Sequence, residues 1–227
     1  MSFHAGPLGF VPFDPARPVR RYRRHLPHWV QDGCTYFITF RLADSIPATK
    51  RKELEDFRIC WQRDHSAAGD DEPSSALHKE TLRLVETWLD AGSGSCILRD
   101  DTSARLIENA LLHFHNQRYE LGAHCVMPNH VHVLVRPLPG HEPEEILKSW
   151  KSFTAREINR RLERSGSFWA QESCDTIVRD AAHLAKVLRY IGSNPAKAGI
   201  PRAHWHRWVN PDWQRVGWDF AECVVGS

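Results

Sequence analysis

The sequence predicts an α+β fold, in which helices cover one face of an antiparallel sheet in a ferredoxin-like layout with a helical insertion. Three observations lead there. Residues 34–42 (CTYFITFRL) are rich in aromatic and β-branched side chains, the composition of a pleated, half-buried strand. Residues 119–126 and 129–136 are two further strand-like runs with little more than Met127-Pro128-Asn129 to join them. That is a hairpin, because proline interrupts a ladder and asparagine tolerates turn geometry. The intervening segments carry apolar residues at helical spacing, and helices laid on one face of such a sheet are its most economical cover.

Taken in order, residues 1–28 are proline-rich and show no helical or strand period. They form a basic arm in which Arg20, Arg21, Arg23 and Arg24 surround Tyr22, with no acidic residue between Asp14 and Asp32. Such a segment is either a phosphate-binding strap or a solvated tether. The main domain is expected over residues 29–200. Following its first strand, Pro47 opens a helix to about residue 63, with Leu54, Phe57 and Trp61 on one face. A polar loop leads to a second helix over residues 77–89, stopped by Ala91-Gly-Ser-Gly-Ser95. The stretch of about 64–98 therefore reads as the insertion. A third helix fits residues 102–117, with Leu106, Ala110 and Phe114 aligned.

Beyond the hairpin, a long helix over about 144–164 has Glu144 and Glu145 in its first turn and Arg160, Arg161 and Arg164 in its last. Both ends complement the helix dipole. Lys148, Lys151, Arg156 and Arg160 give it a basic side. Phe168-Trp169 and Thr176-Ile177-Val178 mark a short strand region, and Asp180 caps a helix from 181 to about 192. Residues 201–227 are a tail with Trp205, Trp208, Trp213 and Trp218 in no clear period.

The chain has 227 residues, net charge +2, nine tryptophans and fourteen histidines. No apolar run approaches the roughly 20 residues needed to span a bilayer. The N-terminus lacks the basic-then-apolar order of a secretory signal. A cytoplasmic protein with reduced cysteines is expected, since none of the six pairs at metal-binding or redox spacing. Basic clusters interleaved with aromatics suit a nucleic-acid backbone and its bases.

Three His-x-His pairs occur. His113 and His115 fall in a helical pattern, where a two-residue step turns the side chain by roughly 200°. His204 and His206 sit in the irregular tail. Only His130 and His132 have a strand beneath them, which aims both rings to one side. They form half of a divalent-metal site, or else two polar residues facing water. Tyr190 and Asn194 stand four apart and share a face if their helix reaches that far. Alternatively, Asn194 caps a short turn opened by Pro195, and Tyr190 is a half-buried aromatic beside Leu184, Val187 and Ile191.

The segments M-P-N-H-V-H-V-L-V, K-S-F-T-A-R-E-I-N-R, F-W-x-x-x-S-x-D-T-I-V-R-D and L-R-Y-I-G-S-N-P-A-K-A-G-I, in that order, resemble the REP-associated tyrosine transposases. These belong to the single-tyrosine HUH transposases. The likeness covers about residues 29–201 and includes R-R-H-L-P-H-W and T-Y-F-I-T-F-R. Cys174 stands where many relatives carry an aromatic residue, and the insertion and tail lie outside the shared pattern. The resemblance implies an HUH catalytic domain that cleaves and rejoins single-stranded DNA near REP-like hairpins through a 5′-phosphotyrosine. Tyr190 would be the nucleophile, and His130, His132 and Asn194 would be the ligands of a divalent metal, Mg²⁺ or Mn²⁺. Arg20, Arg21, Arg23, Arg24, Lys148, Lys151, Arg156 and Arg160 would contact the DNA backbone. Two other readings predict different chemistry: a catalytically retired hairpin-binding protein of the same fold, or an unrelated metal-dependent phosphohydrolase. The choice between monomer and dimer, and whether the tyrosine acts within its own chain, stays open.

Overall fold

In the computed structural model, residues 6–23, 27–64 and 72–220 are described. A small hairpin pairs β1 (Arg20–Arg23) with β2 (Pro27–Val30). The main sheet contains β3 (Tyr36–Leu42), β4 (Tyr119–Val126), β5 (His130–Pro137), β6 (Trp169–Ile177) and β7 (His206–Val209). Its strand order is β6-β3-β5-β4-β7, and every pairing is antiparallel. Between β3 and β4 run α1 (Ala48–Asp64), α2 (Glu72–Asp90) and α3 (Asp101–Leu112). Then α4 (Pro143–Arg161) joins β5 to β6. The β-α-β-β-α-β succession from β3 to β6 is the expected ferredoxin-like arrangement.

Strand alternation divides the core. Tyr36, Ile38, Phe40 and Leu42 of β3 share a face with Val131, Val133 and Val135 of β5. There Ile107 and Leu111 of α3 and Ile146, Trp150 and Ile158 of α4 cover them. The buried polar tips are satisfied: Trp150 Nε1 donates to Tyr119 Oη at 2.9 Å, and that hydroxyl donates to Leu111 O at 2.8 Å. The opposite face is covered as well, which extends the one-faced layout. Here α5 (Ala181–Lys197) packs Leu184, Val187, Leu188 and Ile191 against Ala123, Cys125 and Leu134. The reason is that both the α5 stripe and this side of β4 and β5 are apolar, and each buries the other.

Three local expectations change. The third helix stops at Leu112 instead of continuing to about 117, and Asn116 lies in the left-handed region at φ 62°. The short strand region is one continuous strand, β6. The helix expected to end near 192 runs to Lys197 with Pro195 inside it. Proline removes one hydrogen bond there, close enough to the end that the last turn survives.

The arm and tail also take definite positions. Phe13 N donates to Val178 O at 2.9 Å, Thr35 N to Val11 O at 2.7 Å, and Val178 N to Thr35 O at 2.8 Å. The tail adds β7 to the sheet, then α6 (Pro211–Arg215). Trp213, Trp218 and Phe220 join the core beneath α5. A bulge between Leu121 and Ala123 places Gly122 where the Trp213 ring comes within 2.2 Å of where a Cβ would stand, so only glycine admits that ring.

Candidate active site

His130 and His132 point to the α5 face, because Val131 and Val133 point to the other. Both are fully buried, at 1% and 0% exposure. Asn129 fixes the first ring. Its Nδ2 donates to Leu89 O at 3.3 Å and Ser93 O at 3.0 Å, so its Oδ1 must be the atom 2.7 Å from His130 Nδ1. That nitrogen therefore carries the proton and leaves Nε2 bare. The second ring lies opposite Thr39 in the β3–β5 register, with Nδ1 at 2.9 Å from Thr39 Oγ1. Asn194 Nδ2 donates to His132 Nε2 at 3.0 Å, so that nitrogen is bare too, and His132 Nδ1 donates to the threonine.

Two unprotonated Nε2 atoms thus face each other at 2.9 Å. Burial pushes the His130 pKa down to about 3. Burial, with His130 adding a second contribution, holds His132 well below the imidazole range. Neither ring relieves the lone-pair repulsion by taking up a proton near neutrality. A divalent cation would relieve it, and Asn194 Oδ1, buried without a partner, supplies a third donor on the same spot. Among the described residues no third His, Cys, Asp or Glu joins the cluster. The donor set is therefore two imidazoles and an amide oxygen, which fits an ion that takes its remaining ligands from phosphate and water.

Because α5 continues past Pro195, Tyr190 and Asn194 fall on one side of it. The Tyr190 ring stands edge-on to His132, with centroids 5.3 Å apart, and also meets Phe37 at 6.2 Å. Its Oη is buried, and the Asn194 and Glu86 side chains lie close enough to act on it although neither meets it at ideal hydrogen-bonding geometry. Burial raises its pKa far above the usual phenol range, with the Glu86 and Asp90 carboxylates adding to the rise. Those two groups come from α2, in the insertion. Burial, and then Asp90, pushes Glu86 up to about 7.

The tail braces this helix from behind. Arg207 Nη1 donates to Gly192 O at 2.7 Å, and its guanidinium lies 5.0 Å from the centre of the Phe220 ring. At Gly192 a Cβ would stand 2.6 Å from Phe220 Cβ.

The residues expected to contact DNA lie elsewhere. Lys148, Lys151, Arg156 and Arg160 are on α4, across the sheet from the histidines. Lys151 Nζ donates to Ala170 O at 2.7 Å and Gln171 O at 3.1 Å, tying α4 to β6. Arg156 and Arg160 both pair with Glu157, at 3.1 and 2.8 Å. Arg20 pairs with Glu142 at 2.6 Å. Of Arg21 and Arg23 only the backbone in β1 is described, and Arg24 lies outside the described residues.

The other His-x-His pairs are occupied differently. His115 Nδ1 accepts from Leu121 N at 3.0 Å. His206 lies in β7, with Nδ1 2.9 Å from Glu108 Oε2 and Nε2 3.1 Å from Asp101 Oδ1. His204 meets the same Asp101 oxygen at 3.2 Å.

Asn129, Thr39, Glu86 and Asp90 carry no local sequence signal that marks them as site residues. Asn129 read only as a turn former. Thr39 alternates in phase with the strand, but its pairing with His132 depends on a register visible only in the folded sheet.

No described helix is long and apolar enough to cross a membrane. No curated protein matches the chain. Among solved structures, a REP-associated tyrosine transposase bound to a REP hairpin aligns with 80% of this chain and 75% of its own, at 16% identity and a TM-score of 0.46. A candidate transposase from Deinococcus radiodurans R1 aligns with 77% of this chain and 98% of its own, at 15% identity and a TM-score of 0.33. Residues 95–194 match the family model described as "Transposase IS200 like". That span, a little under half of the chain, holds the histidine strand, Tyr190 and Asn194 together, and over it the chain is similar to the IS200-like transposases.

Proposed function

We propose that this chain cleaves and rejoins single-stranded DNA beside hairpins, with Tyr190 as nucleophile and with Mg²⁺ or Mn²⁺ held by His130, His132 and Asn194. The observation that carries this reading is convergence within one chain: Asn194 Nδ2 is 3.0 Å from His132 Nε2, and the Tyr190 ring is 5.3 Å from the His132 ring. The proposed tyrosine therefore acts in cis. The hairpin substrate rests on the sequence resemblance.

The chemistry exchanges one phosphoester for another. Tyr190 Oη bonds to phosphorus, the P–O3′ bond breaks, the phenolic proton leaves, and the departing 3′-oxygen is protonated. The bound cation would withdraw charge from the phosphate and offset that of the transition state. The buried, neutral phenol keeps its proton until attack, which suits a nucleophile that must stay inert without DNA. Asn129 and Thr39 hold the tautomers that leave both Nε2 atoms free to bind metal. The basic side of α4 lies on the far face of the sheet and serves the hairpin stem, not the nucleotide being cut.

The test is a labelled pool of hairpins with randomised single-stranded flanks, incubated with the protein and Mn²⁺ and resolved under denaturing conditions. A covalent protein–DNA adduct is expected, abolished by EDTA and by Tyr190→Phe. An adduct that persists in Tyr190→Phe removes the assignment. Hairpin binding with no adduct from any flank points to a binding protein.

A further inference from the structure

Lys197 plays no part in the chemistry described so far. It stands seven residues after Tyr190 and three after Asn194 on α5, so the three share one stripe of the helix. Its Nζ lies 5.6 Å from the centre of the Tyr190 ring. Among the described residues its ammonium makes no ion pair. It is exposed, whereas Asn194, one turn earlier, is 2% exposed. Along α5 the stripe thus runs from Tyr190, past the buried Asn194, to an exposed cation whose side chain reaches back to the phenol ring.

The position of Lys197 suits an anion. Tyr190 Oη is buried, with the Glu86 and Asn194 side chains acting on it, and a phosphorus bonded to it would bring non-bridging oxygens beside the ring that Lys197 overhangs. In the resting protein, carboxylates of the insertion act there: Glu86 and then Asp90 act electrostatically on Tyr190, and Asp90 also on Lys197. A carboxylate stands near the place a phosphate would take.

We propose that Lys197 binds the scissile phosphate, holding a non-bridging oxygen through its ammonium while Tyr190 Oη attacks phosphorus. This rests on Tyr190 being the nucleophile. Lys197 exchanges no proton in the step: the Oη–P bond forms, the P–O3′ bond breaks, the phenolic proton passes to solvent, and the 3′-oxygen takes a proton from solvent. The ammonium adds a second positive charge at the phosphate, beside the one that a cation held by His130, His132 and Asn194 would supply. A lysine in the last turn also complements the helix dipole. A neutral replacement that lost only that role would melt slightly earlier and react at the parent rate.

The experiment compares the parent with Lys197→Gln and Lys197→Arg, using a flank selected from the pool. Each substrate carries either a normal scissile phosphate or an uncharged methylphosphonate there. Single-turnover adduct formation, hairpin binding by anisotropy, and thermal melting are measured. Lys197→Gln is expected to slow adduct formation by about 100-fold on the normal linkage, and Lys197→Arg to recover most of the rate. On methylphosphonate the gap between parent and Lys197→Gln should close to about threefold or less, since no phosphate charge remains to neutralise. Parent-like rates for Lys197→Gln, or an equal deficit on both linkages, overturn the role of Lys197 and leave Tyr190 standing. A parent that forms no adduct, or a Tyr190→Phe variant that still does, overturns the underlying reading and this proposal with it.

Discussion

Replacing Asn129 by alanine removes three hydrogen bonds at one buried point: two to the carbonyls of Leu89 and Ser93, and one from His130 Nδ1. Each bond contributes about 1 kcal/mol net, and a buried polar group left unpaired costs about 1–3 kcal/mol. Leu89 O keeps a partner, since Gly92 N donates to it at 3.0 Å. His130 Nδ1–H has no replacement, and its residue is 1% exposed. The sum is a loss of about 3 kcal/mol of stability. A second effect falls on the proposed metal. Without Asn129 the His130 ring is free to take its other tautomer, which protonates the nitrogen meant for the cation, and losing such an orienting partner weakens metal affinity by about 10–100-fold. Urea denaturation measures the first effect, and Mn²⁺ titration followed by electron paramagnetic resonance measures the second. Asn129→Asp separates them: it keeps the acceptor for His130 but turns a carboxylate toward two carbonyl oxygens, so it should bind Mn²⁺ better than Asn129→Ala while remaining destabilised. An Asn129→Ala protein with the parent's urea midpoint and Mn²⁺ affinity would refute the orientation of His130 derived from these contacts.

Two further outcomes follow from the packing around the tyrosine helix. Gly192→Ala gains about 1 kcal/mol in helix propensity but pushes a methyl to 2.6 Å from Phe220 Cβ, an overlap worth about 1–3 kcal/mol. The overlap wins, and urea midpoints should show a net loss of about 1 kcal/mol; a more stable Gly192→Ala protein would contradict the close packing of the tail on α5. Glu86 has its pKa raised from 4.5 to about 7 by burial, so the native state binds the proton more tightly than the unfolded chain. Its contribution is full below pH 4.5 and is lost as pH rises towards about 7. Urea midpoints taken at intervals across that window should therefore decline, and Glu86→Gln should flatten the decline; identical pH profiles for the two proteins would count against the burial of Glu86.

How much of this was legible in the sequence differs from residue to residue. His130 and His132 announced themselves because strand alternation is local, and a strand that aims two rings together does so wherever it sits. The hairpin that carries them followed from Pro128 and Asn129 for the same reason. The stripe of Leu184, Val187 and Ile191 marked α5 as a core helix, but nothing local told which face of the sheet it would take. Lys148, Arg156 and Arg160 look from composition like neighbours of the site, yet α4 crosses to the other face. Thr39, Glu86 and Asp90 meet their partners only through strand register and long loops, which no short-range pattern encodes. At Pro195 a sound local rule gave way: a proline ends a helix more often than not, but in a last turn it costs one bond, and packing of Ile191 and Pro195 in the core outweighs it.

The strand β7 and the aromatic residues after it have a consequence for biosynthesis. They are translated after the helix that carries Tyr190, yet they form part of its seat, through the Arg207 contact to Gly192 O and the packing of Trp213, Trp218 and Phe220. A nascent chain that has released α5 but not residues 206–220 lacks the support that holds Tyr190 against the histidines. Ribosome-bound or prematurely terminated chains are thereby denied a seated tyrosine. With Tyr190 as the proposed nucleophile, this delays the appearance of a DNA-cutting group until the sheet is closed.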